Sequence, residues 1–331
     1  MESARSRRAF IRHLGLLGAL PLTPIWARQT PIERVPRIGY LASEGFPDLV
    51  AAFREELARR GYTQGKNIII EARFIPRDAS DSLGIASELA KMNLALIVAG
   101  SLPSALAVRA ANPAMPMVIA TCPGMVSNGF AQTLERPGGS YTGMDELPPG
   151  VTARRLQLLK TAAPRVTRVA LLSTTPGRGG HEAQLADAES AAPGLGVEVM
   201  AYRAASLAEL RRALDQIASA DMNGLLSFQG SLSIINRQLI IDFATEKRIP
   251  AVYQATRFVE AGGLMAWAPD LVEQYREAAR LVDAILRGAR PGDLPIKHPE
   301  RYYLTVNLGA AAKIDLTLPN NLLAQATTIL Q

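Results

Sequence analysis

From residue 37 onward, short apolar runs alternate with helical periods, and near residue 168 the alternation restarts at almost the same spacing. Such a βαβ rhythm builds parallel sheets covered by helices. The first strand reads RIGYL at 37–41. Leu49, Phe53 and Leu57 then recur every fourth residue along one buried helix face, and that helix stops at Gly61, where a left-handed cap suits glycine. A second strand spans 68–72 and a second helix 83–91, followed by LALIVA at 94–99, apolar throughout as a strand covered on both faces must be. A fourth strand lies at 117–120. In the second half, RVALL at 168–172 matches the first strand, 197–201 the second and 224–227 the third; Leu207, Leu210, Leu214 and Ile217 mark one face of the helix between the last two. Strand starts are about 31 and 26 residues apart in one half, and about 29 and 27 in the other.

A chain of 331 residues is long enough for two such units. The expected fold class is therefore α/β: two doubly wound parallel-sheet lobes joined by hinge strands. Lobe 1 is expected from 36–143 plus 269–296, and lobe 2 from 144–268 plus 302–331. The first crossing is the turn-rich PGGSYTG at 137–143 ahead of LPPG at 147–150. At the second, Gly262 and Gly263 lead through LMAWAP into a long helix carrying Leu271, Tyr275, Val282 and Leu286, which returns to the first lobe. A third crossing is expected near 302–307, and a tail helix at 321–329 on the second lobe. Open parallel sheets bind ligands at the carboxyl ends of their strands, which places the site in the cleft between the lobes.

The first 27 residues read as an address. Arg7 and Arg8 are followed by Phe10, then a weakly apolar run at 14–22, then Ile25-Trp26-Ala27 as a cleavage site. That order is a bacterial export signal, and the paired arginines resemble the twin-arginine class. The apolar run is about half the ~20 residues that span a bilayer, and no cysteine follows it for a lipid anchor, so no stable membrane anchor is expected. The segment also carries Arg5, Arg7, Arg8 and Arg12 against Glu2, half of the chain's formal charge of +6. With 5% aromatic residues and that modest remaining charge, no nucleic-acid partner is expected.

Catalysis finds little to work with. Cys122 is the single cysteine, and the three histidines, His13, His181 and His298, share no ligand spacing. Neither a nucleophile elbow, a phosphate loop nor a metal motif occurs, so the chain is expected to be no enzyme and to need no cofactor or metal.

Several stretches, in order, resemble a known family: AFREELARRGYTQGKNIIIEARF, ELAKMNLALIVAG, LERPGGSYTGM, RRLQLLKTAAPRVTRVALL, RFVEAGGLMAWAPD, YREAARLVDAILRGARPGDLPIKHPERYYLTVNL and IDLTLPNNLLAQA. They are similar to the ABC transporter substrate-binding proteins related to tryptophan- and tyrosine-type uptake systems. The resemblance covers about 37–330 and implies a periplasmic-binding-protein type I fold in an extracytoplasmic, periplasmic receptor. It also implies a small-molecule ligand, an ABC permease and its ATPase as partners, and a monomer. An exported ligand-sensing receptor domain not coupled to transport is the alternative.

The resemblance further implies that loops after the strands line the pocket. Here these hold Ser43 and Glu44, Gly100 to Ser104, Thr121 and Cys122, with Thr142 at the first hinge. The second lobe offers Ser173, Thr174, Phe228, Gln229, Tyr253 with Gln254, and Trp267. Of these, Gly100, Ser101 and Ser104 carry the firmest physical reading. A glycine admits a ligand to the backbone, Pro103 suits a helix start, and free N–H groups there favour an anion by ~0.3–1 kcal/mol. Relatives carry Asp-Pro where this chain has Cys122-Pro123, and Asp or Asn near Gln229. A small carboxylate-bearing ligand, aromatic or amino-acid-like, is therefore expected, without an obligatory amine contact. Glu44 or Asp145 can supply a carboxylate if an amine is bound. Tyr40, Phe228, Tyr253 and Trp267 are read as cleft walls or as lobe core, and Cys122 as packing at the edge of a core rather than a nucleophile.

Overall fold

The structure, a computed structural model, describes residues 35–76, 81–174, 179–228 and 230–331. The expected export signal and Gln229 lie outside them.

In the first lobe, β1 (Arg37–Ser43), α1 (Pro47–Arg59), β2 (Ile69–Ile75), α2 (Ser82–Ala90), β3 (Leu96–Ala99), α3 (Leu102–Ala111), β4 (Met117–Cys122) and β5 (Tyr141–Asp145) alternate as the apolar runs predict. Their strands form one parallel sheet in the order β2-β1-β3-β4-β5. Side chains alternate across it because the strand period is two residues. Ile38, Tyr40, Ala42, Leu96, Val98, Val118 and Ala120 pack on α1, whereas Leu41, Ile97, Ala99, Met117 and Ile119 pack on α2 and α3. Burial on both faces explains why these strands read as continuous apolar runs.

The second lobe repeats the plan. It holds α4 (Val151–Ala162), β6 (Arg168–Ser173), α5 (Gly179–Leu195), β7 (Glu198–Arg203), α6 (Leu207–Ser219), β8 (Gly224–Ser227), α7 (Ser231–Ile235), α8 (Arg237–Glu246), β9 (Ala251–Tyr253), α9 (Thr256–Glu260) and β10 (Met265–Pro269). Part of its sheet runs β7-β6-β8-β9-β10, the same permutation as in the first lobe. The duplication therefore extends to all five strands, two more than the spacing showed. Then α10 (Leu271–Leu286), capped by Asp270 Oδ1 accepting from the N–H groups of Val272 (2.8 Å) and Glu273 (3.3 Å), returns to the first lobe. There it packs beside α1 in the same core, and Arg60 reaches Asp283 (3.1 Å) while Arg280 reaches Glu56 (3.2 Å).

The chain ends with β11 (Tyr302–Asn307), α11 (Leu308–Lys313), α12 (Asn320–Leu323) and β12 (Thr328–Leu330) on the second lobe. Two expectations change here. The sheet is not wholly parallel, because β11 enters antiparallel to β10, pairing Trp267 with Leu304. The tail helix expected over 321–329 shrinks to α12, and Thr328–Leu330 become a strand paired with Thr305–Asn307. An open sheet edge beside the β-branched Thr327, Thr328 and Ile329 outcompetes helix continuation, and Thr327 N–H already bonds Leu304 C=O at 2.8 Å. Asp145 pairs with Cys122 in the first sheet, Met144 bridges to Lys297, and Pro269 pairs within the second sheet. The three crossings consequently fall at 146–150, at Asp270 and ahead of Tyr302.

Candidate functional site

Both sheets turn their carboxyl ends toward a common cavity, to which the first lobe contributes most of the wall. Gly100 follows β3, and a side chain there would collide: a Cβ would stand 2.7 Å from the Ala42 Cβ and 2.8 Å from the Tyr275 hydroxyl. The Gly100 carbonyl accepts from Tyr275 Oη (2.7 Å) and Thr121 Oγ1 (2.9 Å), which pins the loop to α10 and β4. Helix α3 starts immediately after, with Ser101 extended at its N-cap and Pro103 in its first turn. Ser101 makes no side-chain cap bond; its Oγ meets Ser104 Oγ at 3.2 Å instead. The start of α3, without a side-chain cap, thus lines the cavity, a placement that favours a negatively charged guest.

Glu146, in the first crossing, belongs to the same cavity lining while only 6% exposed. Its N–H bonds Cys122 C=O (2.9 Å), and its own carbonyl accepts from Tyr302 Oη (2.7 Å), so the first and third crossings hold it. Burial chiefly, and then the charge of Glu146, raises the pKa of Tyr275. From the second lobe, Gln254 reaches the wall at 1% exposure. Its Nε2 donates to Ser233 Oγ (2.8 Å), whereas Oε1 has no hydrogen-bond partner among the described residues. A buried acceptor left in that state calls for a donor.

Behind Glu146 lies Arg155, fully buried on α4. Its Nε donates to Trp267 C=O at 2.9 Å, and Nη1 and Nη2 have no hydrogen-bond partner among the described residues. Desolvation lowers its pKa to about 10 against the opposing pull of Tyr302, Glu146 and Asp187. The guanidinium thus sits where the crossings meet.

The residues named from the sequence divide clearly. Ser43, Gly100, Ser101 and Thr121 line the cavity, and Ser104 is buried behind Ser101. Glu44 instead borders an outer groove with Phe46, Pro47 and Phe74. Asp145 is consumed by loop structure, accepting from the N–H groups of Gly124 (3.0 Å), Met125 (2.8 Å) and Leu147 (3.0 Å). Cys122 is fully buried in the first-lobe core, and desolvation, then Asp145 and Glu146, push its thiol pKa well up. Thr142 is buried with Oγ1 donating to Leu294 C=O (2.9 Å). Ser173 and Thr174 are buried at the end of β6, outside the cavity lining.

The second-lobe aromatics lie outside that lining as well. Phe228 is in the core 5.8 Å from the His181 ring, Tyr253 stacks on Phe258 at 4.6 Å, and Trp267 stacks on Tyr302 at 5.8 Å. Tyr40 packs on Phe53 in the first-lobe core. The aromatic walls are Phe46 and Tyr275, both from the first lobe. Sequence reasoning did not assign Glu146, Phe46 or Tyr275 to the site. One signal was available for Glu146: it completes an acidic pair inside an otherwise apolar crossing.

Among the described residues no helix is long and apolar enough to cross a membrane. The family model for ABC transporter substrate binding proteins matches residues 40–330. A tyrosine-binding protein of Clostridioides difficile (strain R20291) is 23% identical over 292 residues, 87% of this chain and 84% of the relative. Among solved structures, an ABC domain from Streptococcus pneumonia in complex with L-Trp superposes with a TM-score of 0.82 at 20% identity, covering 89% of this chain and 99% of that one. A conserved domain protein from Vibrio cholerae O1 biovar El Tor gives the same TM-score at 23% identity, covering 89% and 100%. These neighbours share the periplasmic-binding-protein type I fold. With the match running through both lobes and all three crossings, the chain belongs to the ABC transporter substrate-binding protein family.

Proposed function

We propose that this chain is the extracytoplasmic receptor of an ABC importer, and that its ligand is an amino acid or a close analogue bound as a zwitterion. The observation that carries this reading is Glu146, a carboxylate in the wall of the cavity at 6% exposure. A desolvated ammonium needs such a partner. Gln254 Oε1 supplies a second acceptor, and the start of α3 favours the ligand carboxylate. Phe46 and Tyr275 suit an aromatic side chain. A relative named for tyrosine and a fold neighbour holding L-Trp support the same class. This reading restores the amine contact that the sequence-based expectation left out, because Glu146 takes the place sought at Glu44 and Asp145.

Hinge closure does the work: a ligand that touches both lobes binds the closed form more tightly and shifts the population toward it. Export by the twin-arginine route belongs to the same proposal, and replacing Arg7 and Arg8 by lysine is expected to leave the precursor in the cytoplasm.

Calorimetry with aromatic amino acids and their deaminated analogues tests the ligand class. Wild-type protein is expected to prefer the amino acids. Glu146→Gln is expected to lose about 2 kcal/mol or more, roughly thirtyfold, for amino acids only. Equal affinity for the deaminated acids would overturn the assignment.

A further inference from the structure

Residues outside the ligand cavity join the two lobes at its mouth. Asp48 lies in the first turn of α1, on the first lobe, and Arg257 in α9, on the second. The Arg257 guanidinium forms an ion pair with the Asp48 carboxylate. The same guanidinium lies over the Phe46 ring, 5.3 Å from its centroid. Phe46 is the cavity wall residue that precedes α1, whereas Asp48 and Arg257 border a separate surface depression. One second-lobe side chain therefore makes both a charge contact and a cation–π contact with two neighbouring first-lobe residues, and one of those residues faces the ligand site.

We propose that Arg257 is a positioning residue for ligand capture: it clasps the lobes through Asp48 and holds the Phe46 ring over the cavity. The clasp is part of the chain, so the ligand-free protein already spends part of its time closed, and the ligand completes closure rather than causing all of it. The pair is partly exposed, with side-chain accessibilities of 24% for Arg257 and 49% for Asp48. Exposed pairs are modest and screened, so the expected bias toward closure is about two- to fivefold and weakens as salt rises. Neither residue is buried in a lobe core, and replacing them leaves each sheet and its helices intact. The role of Phe46 as a ligand wall rests on the function proposed above. The clasp itself does not, since it is measured without ligand.

The test uses fluorophores on Lys66→Cys in the first lobe and Arg212→Cys in the second. Both positions are exposed, whereas Cys122 is fully buried. Single-molecule energy transfer on the ligand-free protein reads the closed-to-open ratio. Asp48→Asn and Arg257→Gln are each expected to lower that ratio about two- to fivefold, and the double variant no further than either alone. Arg257→Lys is expected to recover part of the loss, and raising salt to lower the ratio in the wild type but not in the double variant. Additive losses, an unchanged ratio, or a salt response that survives in the double variant would overturn the clasp. Failure there leaves the amino-acid reading standing, and failure of Glu146→Gln in calorimetry leaves the clasp standing.

Discussion

Under the proposed hinge closure, a glycine at the rim formed by Pro123 and α5 is decisive. Gly180 opens α5 on the second lobe and meets Pro123 and Gly124, which follow β4 on the first. A Cβ at position 180 would stand 2.1 Å from the Pro123 carbonyl oxygen and 2.8 Å from its carbon. Real Cβ contacts keep at least 3.0 Å, so Gly180→Ala forces the lobes apart by about 0.9 Å at this rim. The obstacle is backbone, which cannot swing away as a side chain tip would. Overpacking of this kind costs about 1–3 kcal/mol. Only the closed form bears that cost, so ligand affinity is expected to fall by roughly 5- to 150-fold. Folding stability moves the other way or not at all, since alanine in a helix loses less backbone freedom than glycine by up to about 1 kcal/mol. Calorimetry would be paired with thermal unfolding, and small-angle scattering would follow compaction. Binding within twofold of wild type would refute the argument, and so would a fall in unfolding temperature, since the clash would then lie inside a lobe.

Other perturbations probe the scaffold. Helix α4 has Gly150 at its N-cap with no side-chain cap, and Asp187 on α5 supplies one from a distance, with Oδ2 accepting from the N–H groups of Thr152 (2.8 Å) and Ala153 (3.0 Å). Asp187→Ala is expected to cost about 1–2 kcal/mol in denaturant unfolding, with Asp187→Asn recovering part of it. His181 is fully buried, and desolvation, aided by Arg203, lowers its pKa from 6.5 against the pull of Glu182. Well above pH 6.5 it is neutral in both folded and unfolded chains and contributes nothing. Below that, the unfolded chain takes up the proton first, so stability is expected to fall on acidification, and His181→Gln should flatten this limb of the pH profile.

Local pattern carried the framework of this protein. Short continuous apolar runs such as LALIVA, and a period near four along Leu49, Phe53 and Leu57, identify strands and helices because each side chain's burial is decided within its own element. Repetition of that pattern from 168 gave away the second lobe, and the apolar stripe of α10 its return to the first. The start of α3 could be located from the sequence for the same reason, since Gly100, Ser101 and Pro103 act through their own backbone.

What the tertiary structure alone decided involves partners far apart in the chain. The antiparallel entry of β11 and the conversion of 328–330 into a strand answer to an open sheet edge, which no local propensity reports. Whether Glu146 or Asp145 faces the cavity follows from the way the loop after β4 consumes Asp145, and adjacent carboxylates look alike until that loop is placed. Second-lobe aromatics went into cores because strand alternation turned them away from the cleft, while Phe46 and Tyr275 reached it from the first lobe. Arg257 meets Asp48 and Gly180 meets Pro123 across the two lobes, and that geometry is a property of the assembled pair rather than of any segment.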